Sequence, residues 1–189
     1  MVEGVAYSFE LNPEMLDLIN KEFDVKKVAA RFAEAVKGKS GAEIEKIARD
    51  IFAEYGTEWM RRTMQLGEEY PDRTYEVLKQ AIDKTGGYYR FSLLPQRFLE
   101  IAYLATQEFP SLPIVENNAR ALVYKLPDCL LYKSLTESCG ESVAKTVPCK
   151  HSCLAALKIL HQDLELDAHI GMDAEMGKDG FCQFSARSV

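Results

Sequence analysis

The apolar residues of this 189-residue chain change their spacing from one end to the other, and this change constrains the fold most. Through residues 12–84 they recur every three or four positions, as one buried face of a helix requires. Over residues 167–176 they alternate with polar residues, as in a strand with one buried face. We therefore predict an α+β fold, with an N-terminal helical bundle packed on a C-terminal region of antiparallel sheet and helices.

Three N-cap signals mark the starts of helices in the first part of the chain. Asn12 precedes a proline, which suits the first turn of a helix because proline has no backbone N–H to leave unpaired there. Asp24 is a second N-cap candidate, since its carboxylate can accept backbone N–H groups. Ser40 and Glu43 have the spacing of a capping box. The apolar stripes that follow predict the core of a bundle.

The second part of the chain has different turn and strand signals. Residues 110–118 have the prolines and asparagines of a linker, and residues 119–126 have the composition of a strand. Helices are predicted over residues 129–137 and 148–166. We divide the chain into a helical region, 1–110, and an α+β, cysteine-rich region, 111–189. The two regions can equally form one integrated domain.

The last two predicted strands form a hairpin. Asp179 and Gly180 are suited to a tight turn, because such turns need residues that adopt positive φ. Cys182 shares a face with the apolar residues of the returning strand, so its thiol is predicted to point into the protein.

All five cysteines and all three histidines lie in the last 61 residues, so we expect the chemistry of the protein there. Cys149 and Cys153 are four residues apart and fall on the apolar stripe of a predicted helix. Thiolates are preferred ligands of Zn²⁺ and of iron–sulfur clusters. We predict a metal site of Cys149, Cys153 and Cys182, with Cys139 as the fourth ligand and Cys129 as its alternative.

The spacing of these cysteines is not diagnostic of a metal site, and other interpretations stay open. Free cysteines are often buried as small apolar side chains. A redox-active thiol pair is a further alternative. The thiols are also candidate nucleophiles: Cys149 lies near His151, and Cys129 follows an aspartate. Lys150 and the start of the helix are predicted to lower the pKa of Cys149.

An aromatic and basic cluster offers a candidate ligand pocket. Tyr88, Tyr89 and Arg90 can line a pocket for a planar or anionic ligand, or lie in the core where a helix ends. The formal net charge of −6 argues against nucleic acid or an anionic membrane as partner, because both attract clustered lysine and arginine. With no basic-then-apolar leader in view, we expect a cytoplasmic protein.

The end of the chain resembles a known family. The stretches Pro-Cys-Lys-His-Ser-Cys-Leu at 148–154, Met-Asp-Ala-Glu at 172–175 and Gly-Lys-Asp-Gly-Phe-Cys-Gln-Phe at 177–184 resemble the 4-vinyl reductase-like small-ligand-binding domain. They also resemble the L-2-amino-thiazoline-4-carboxylate hydrolase-like family. The resemblance covers about the last 75 residues, and it matches Cys149, Cys182 and, more weakly, Glu175 to the pattern of these families.

The resemblance implies an α+β domain that binds a small hydrophobic molecule or a tetrapyrrole. It also implies cysteines near a metal and a homodimer. We therefore predict a small-molecule-binding protein with a cysteine-coordinated metal ion, such as zinc, or an iron–sulfur cluster, and an apolar pocket against the helical half. The alternative is an enzyme, a thiol- or metal-dependent hydrolase of a small amide or heterocycle.

Overall fold

The computed structural model describes residues 9–85 and 89–189. Its elements follow one another along the chain as follows: α1 (Pro13–Glu22), α2 (Val25–Ala35), α3 (Gly41–Glu69), α4 (Arg73–Thr85), α5 (Leu93–Thr106), β1 (Ile114–Asn117), β2 (Ala121–Leu126), α6 (Leu130–Cys139), α7 (Glu141–Ala144), α8 (Lys150–Asp163), β3 (Ala168–Ala174), α9 (Met176–Asp179) and β4 (Cys182–Ser188). The strands form an antiparallel sheet in the order β1-β2-β4-β3. The predicted α+β class, helices first and sheet last, is confirmed.

The predicted helix starts are confirmed. The side chain of Asn12 accepts the backbone N–H of Glu14 at 2.8 Å, and Asp24 accepts that of Lys26 at 2.9 Å. The carboxylate of Glu43 accepts the backbone N–H of Ser40 at 2.9 Å, as a capping box requires. These helix starts are local in sequence, because each cap joins residues two or three positions apart.

Two predictions for the second half are wrong. The segment interpreted as a linker contains β1, which pairs with β2 through an irregular register. The turn between β3 and β4 is not a two-residue hairpin: the chain forms the short helix α9 and then leaves it through Gly180 in the left-handed conformation, at φ 75°. Both features depend on partners outside the segment, which its own composition does not reveal.

The periodicity of the sequence gives no sign of α5, and burial explains why. Eleven of its 14 residues are buried, so the helix has no polar face to alternate with an apolar one. It includes Arg97, whose side chain is fully buried. The Arg97 guanidinium bonds the Asp72 carboxylate at 2.8 Å and the carbonyl oxygens of Gly67 and Tyr70. The buried charge is therefore paired and hydrogen-bonded, as its burial requires.

The longest helix, α3, packs closely on α8. A Cβ atom added to Gly56 would lie far inside 3.0 Å of the carbonyl oxygen of Ser152, closer than real Cβ atoms approach. Only glycine allows this contact without moving one helix. The thiol-bearing start of α8 is thereby held against the aromatic face of α3. No helix in the described ranges is long and apolar enough to cross a membrane.

Substitution of Gly56 tests this contact. Gly56→Ala places a methyl group against the backbone of α8, and we expect the free energy of unfolding to fall by about 3 kcal/mol. Gly41→Ala is the matched control, because Gly41 begins the same helix and a Cβ added there would have nothing within 4 Å. Chemical denaturation of both variants measures the difference. Equal stability of the two variants would contradict the close contact.

Candidate functional site

Four of the five cysteines come together where the helical half meets the sheet. Cys129 is the N-cap residue of α6, where its sulfur accepts the backbone N–H of Tyr132 at 3.5 Å. Cys149 directly precedes α8, Cys153 lies in its first turn, and Cys182 begins β4. Cys129, Cys149 and Cys182 are buried, and Cys153 is partly buried. We call these four residues the thiol group.

A close backbone contact brings Cys182 to the others. A Cβ atom added to Gly177 in α9 would collide with the carbonyl oxygen of Lys145, which lies just before α8. This approach holds the β3–β4 connection against the chain segment that leads to Cys149. β4 begins directly after that connection, and Cys182 is near enough to Cys149 to contribute to its raised pKa.

The thiol group joins the two parts of the core. Cys129 and Cys149 belong to the cluster formed with α2, whereas Cys182 belongs to the larger cluster around α5 and the sheet. Tyr55 packs against both clusters. A ligand that drew the thiols together would therefore act on contacts of both clusters at once. This position distinguishes the group from cysteines that merely fill space within one core.

Burial and mutual proximity keep the thiol group protonated. Burial is the largest cause that raises the pKa of each of its four thiols. For Cys149, the neighbouring Cys129, Cys153 and Cys182 raise the pKa further. The pKa of Cys182 is raised to about 12, although a hydrogen bond from the backbone of Met176 opposes the shift.

The prediction that Lys150 and the helix start lower the pKa of Cys149 is therefore wrong. The physical reason is that Cys149 is only 5% exposed, so a thiolate there would lose its hydration, and the neighbouring Cys129, Cys153 and Cys182 further disfavour its charge. Both effects outweigh the field of the helix terminus.

Four aromatic residues lie next to the thiol group, and we call them the aromatic wall: Tyr55, Trp59, Tyr103 and Tyr124. Tyr55 stacks on Trp59 with ring centroids 6.1 Å apart, and Tyr103 meets Trp59 edge to face at 5.2 Å. The hydroxyl groups of Tyr103 and Tyr124 lie 3.1 Å apart and share a hydrogen bond. Cys153 is close enough to raise the pKa of both of these phenols, after burial, which is the largest cause.

A small cavity lies between the aromatic wall and the thiol group. Its volume is about 10 Å³, which is room for roughly one water molecule. Its lining comes from both halves of the chain: Val25, Tyr55, Trp59, Tyr103, Thr106, Gln107, Cys129, Leu131, Ser152 and Cys153. None of these side chains carries a formal charge at neutral pH.

Three buried polar atoms of the described residues have no hydrogen-bond partner: Trp59 Nε1, Thr63 Oγ1 and His161 Nε2. Trp59 is 2% exposed and is part of the cavity lining. The His161 ring is held through its other nitrogen, which lies 2.8 Å from the carbonyl oxygen of Leu157. Periodicity does not single out Trp59 as functional, because tryptophan on an apolar stripe is ordinary core composition.

The thiol group is not arranged as a metal centre in this structure. In the described part of the chain, no three histidine, cysteine, aspartate or glutamate side chains are arranged to hold one ion. Cys139, the predicted fourth ligand, is only half-buried, and its thiol donates to the carbonyl oxygen of Leu135 at 2.9 Å. Burial alone accounts for its raised pKa, whereas Cys129 is electrostatically coupled to Cys149, Cys153 and Cys182. Cys129, the alternative to Cys139, thus lies with the other three.

The polar residues next to the candidate nucleophiles are bonded elsewhere. His151 Nε2 lies 3.0 Å from the carboxylate of Glu45 on α3. The carboxylate of Asp128 accepts the backbone N–H of Cys129 at 2.8 Å and pairs with Lys133. Within the described residues, neither group bonds a thiol, so the structure forms no cysteine–histidine pair there.

The candidate ligand pocket of Tyr88, Tyr89 and Arg90 is only partly visible. Tyr88 lies outside the described residues. Tyr89 packs at the edge of the larger core cluster. Arg90 donates to the carbonyl oxygen of Leu164 at the end of α8 and lies 3.5 Å from the carboxylate of Glu165. The arginine therefore satisfies the end of a helix.

Comparisons with known proteins identify no family for this chain. No family model matches the chain, and no curated protein matches it. Among solved structures, the chain is similar to the crystal structure of a mutant Fe(II) unliganded H-NOX protein from K. algicida. The identity is 12% over 93% of each chain, with a TM-score of 0.34.

The thiol group predicts how stability depends on pH. Because the folded pKa values lie above the unfolded value of about 8.5, the thiols stay protonated in the folded chain while the unfolded chain ionises. The free energy of unfolding is therefore highest below about pH 8.5, and it falls as the pH rises toward 12. Each thiol contributes at most about 1.4 kcal/mol per pH unit.

Denaturation curves between about pH 7.5 and pH 10.5 measure this loss, since the window spans the unfolded thiol pKa. In Cys182→Ala the free energy of unfolding should fall less steeply with pH than it does in the unchanged chain. Cys139→Ala should alter the decline less, because its half-buried thiol is outside the thiol group. A free energy of unfolding that stays constant across this window would contradict the burial of these thiols.

Proposed function

We propose that this protein binds a small ligand in the cavity between the aromatic wall and the thiol group. The observation that supports this most is that Cys129 and Cys153 line a cavity of uncharged side chains, with Cys149 and Cys182 near enough to be electrostatically coupled to them. A cavity between two halves of a fold, with few polar groups, is a common place for a ligand.

The class of ligand that suits these thiols best is a soft metal ion such as Zn²⁺. Thiolates bind such ions strongly, and the positive charge favours loss of the thiol protons that burial otherwise retains. Cys129, Cys149, Cys153 and Cys182 would be the ligands. Because the described residues present no ready ion site, these side chains must turn toward a common point when an ion binds.

An iron–sulfur cluster would use the same four thiolates. A single ion is favoured, because the cavity has room for only about one water molecule. The resemblance to the 4-vinyl reductase-like domain supports the same interpretation, since it matches Cys149 and Cys182. The homodimer, the cytoplasmic location and the division of the chain at residue 110 stay predictions.

Ligand binding is favoured over the alternative of a thiol-dependent hydrolase. A nucleophilic thiol needs a lowered pKa, and burial raises the pKa of Cys129 and Cys149 instead. The hydrogen bond recorded for the His151 ring goes to Glu45, and none joins it to a thiol among the described residues. The chemistry of the site therefore supports coordination better than attack on a substrate.

A Co²⁺ titration of the reduced, metal-free chain tests the metal proposal. We expect a thiolate-to-metal charge-transfer absorption that saturates at one ion per chain. Cys149→Ser and Cys153→Ser should each weaken Co²⁺ binding by at least about tenfold, because each removes one thiolate ligand. Cys139→Ser is the matched control and should bind as the unchanged chain does.

Two results would contradict the metal proposal. One is the absence of any charge-transfer absorption at equimolar Co²⁺ in the correctly folded chain. The other is an equal loss of affinity in Cys139→Ser and Cys153→Ser, which would mean that the metal does not select the thiol group. Elemental analysis of anaerobically purified protein for zinc and iron gives an independent measurement.

A further inference from the structure

We propose that the free edge of β3 is a docking surface for a second copy of this chain. The two β3 strands pair antiparallel about a two-fold axis beside Gly171, and the two four-stranded sheets become one continuous sheet. This dimer requires neither a metal ion nor an occupant of the cavity, so it is independent of the function proposed above.

The first support is that β3 has an unpaired edge. It is the last strand in the order β1-β2-β4-β3. The carbonyl of Asp167 accepts the backbone N–H of Val189 at 3.3 Å, so the residues that alternate with Asp167 turn their backbone groups away from β4. These residues are Ala168, Ile170 and Met172, and within the described ranges nothing bonds their outward N–H and C=O groups. Such an edge is a template for another strand.

The second support is that the sequence of β3 is complementary to itself about Gly171. An antiparallel copy with Gly171 opposite Gly171 places His169 opposite Asp173, and Ile170 opposite Met172. His169 and Asp173 are exposed on one face, whereas Ile170 and Met172 are half-buried and pack against the core on the other. An imidazole N–H can donate to the facing carboxylate, and the apolar pair extends the core across the contact.

The same register satisfies the outward backbone groups. Ile170 of each copy exchanges two hydrogen bonds with Met172 of the other, because both residues turn their N–H and C=O outward. The two Gly171 residues then form a non-hydrogen-bonded pair, in which opposite Cα atoms approach to about 4.5 Å. Within one chain nothing requires glycine there, since its φ is not positive and an added Cβ would lie 3.4 Å from Ser185 Oγ, an ordinary contact.

The opposite edge of the sheet is less suited to pairing. The β1 strand has four residues, follows Pro113, and pairs with β2 in an irregular register. Short and irregular edges are a common protection against strand pairing. In contrast, β3 has seven residues with no proline, lysine or arginine. Its irregularity with β4 lies between Met172 and Ala174 and leaves Ile170, Gly171 and Met172 in register.

Sedimentation velocity of the reduced, metal-free full chain tests the dimer, and reducing conditions exclude disulfides between copies. A seven-residue edge buries less surface than a standard interface, so we expect micromolar affinity. The chain should be mostly dimer at about 200 µM and mostly monomer at about 1 µM. A chain that is monomeric at every concentration in this range would overturn the proposal.

Charge substitutions test the register. His169→Asp places a carboxylate opposite Asp173 at two symmetric positions, and we expect the dissociation constant to rise at least about tenfold. Adding Asp173→Lys in the same chain restores opposite charges, so the double variant should return to within about threefold of the unchanged chain. Val115→Asp is the matched control, because it introduces the same charge at an exposed position of the β1 edge, and it should dimerise normally.

Two results with these variants would overturn the proposal. One is a dimer that Val115→Asp dissociates and His169→Asp does not, which would place the contact at β1. The other is a folded double variant that stays as weakly associated as His169→Asp, because the facing charges would then not be those of residues 169 and 173.

Hydrogen exchange of the unchanged chain locates the contact even where a variant does not fold. The amides of Ile170 and Met172 should exchange more slowly at 200 µM than at 1 µM, whereas those of β1 should exchange equally at both concentrations. Equal exchange of the β3 amides at both would overturn the proposal. A monomer that binds Co²⁺ would leave the metal proposal standing and remove this one, and a β3 dimer that binds no Co²⁺ would do the reverse.

Discussion

The candidate site depends on the close contact between Gly56 of α3 and the backbone of Ser152 in α8. Without a side chain at residue 56, the two helices lie near enough for Tyr55 and Trp59, the α3 residues of the aromatic wall, to face the thiols of α8. Gly56 is followed one turn later by Trp59, and Ser152 is followed directly by Cys153. A side chain at residue 56 would push the two helices apart and separate the groups that line the cavity.

The second physical constraint is the absence of charge around the thiol group. Elsewhere the protein buries a charge together with its partner, as Arg97 shows with Asp72 and two backbone carbonyls. Among the described residues no side chain that lines the cavity is a cation, and burial outweighs the attraction of Lys133 for a Cys129 thiolate, so the thiols are neutral. The same burial that makes them poor nucleophiles leaves them able to respond to a soft ion that brings its own positive charge.

Features that depend on neighbours along the chain could be predicted from the sequence. Capping signals located the starts at Asn12, Asp24 and Ser40, and the alternation after residue 167 located β3. Caps and side-chain periods involve residues only a few positions apart, which is why the sequence contains them. The inward direction of Cys182 followed from the face that it shares with the apolar residues of β4. The α5 helix escaped detection, since full burial removes the polar face that gives a helix its period.

Only the tertiary structure decides which cysteines lie together and how their surroundings shift the pKa values of the thiols. Cys129, and not Cys139, lies with Cys149, Cys153 and Cys182, because α6 holds its two ends roughly 15 Å apart. Burial reversed the expected shift of the Cys149 pKa, and desolvation is a property of the packed chain. The unpartnered indole of Trp59 is likewise visible only once its neighbours are in place, since the lack of a hydrogen bond is a fact about everything that surrounds an atom.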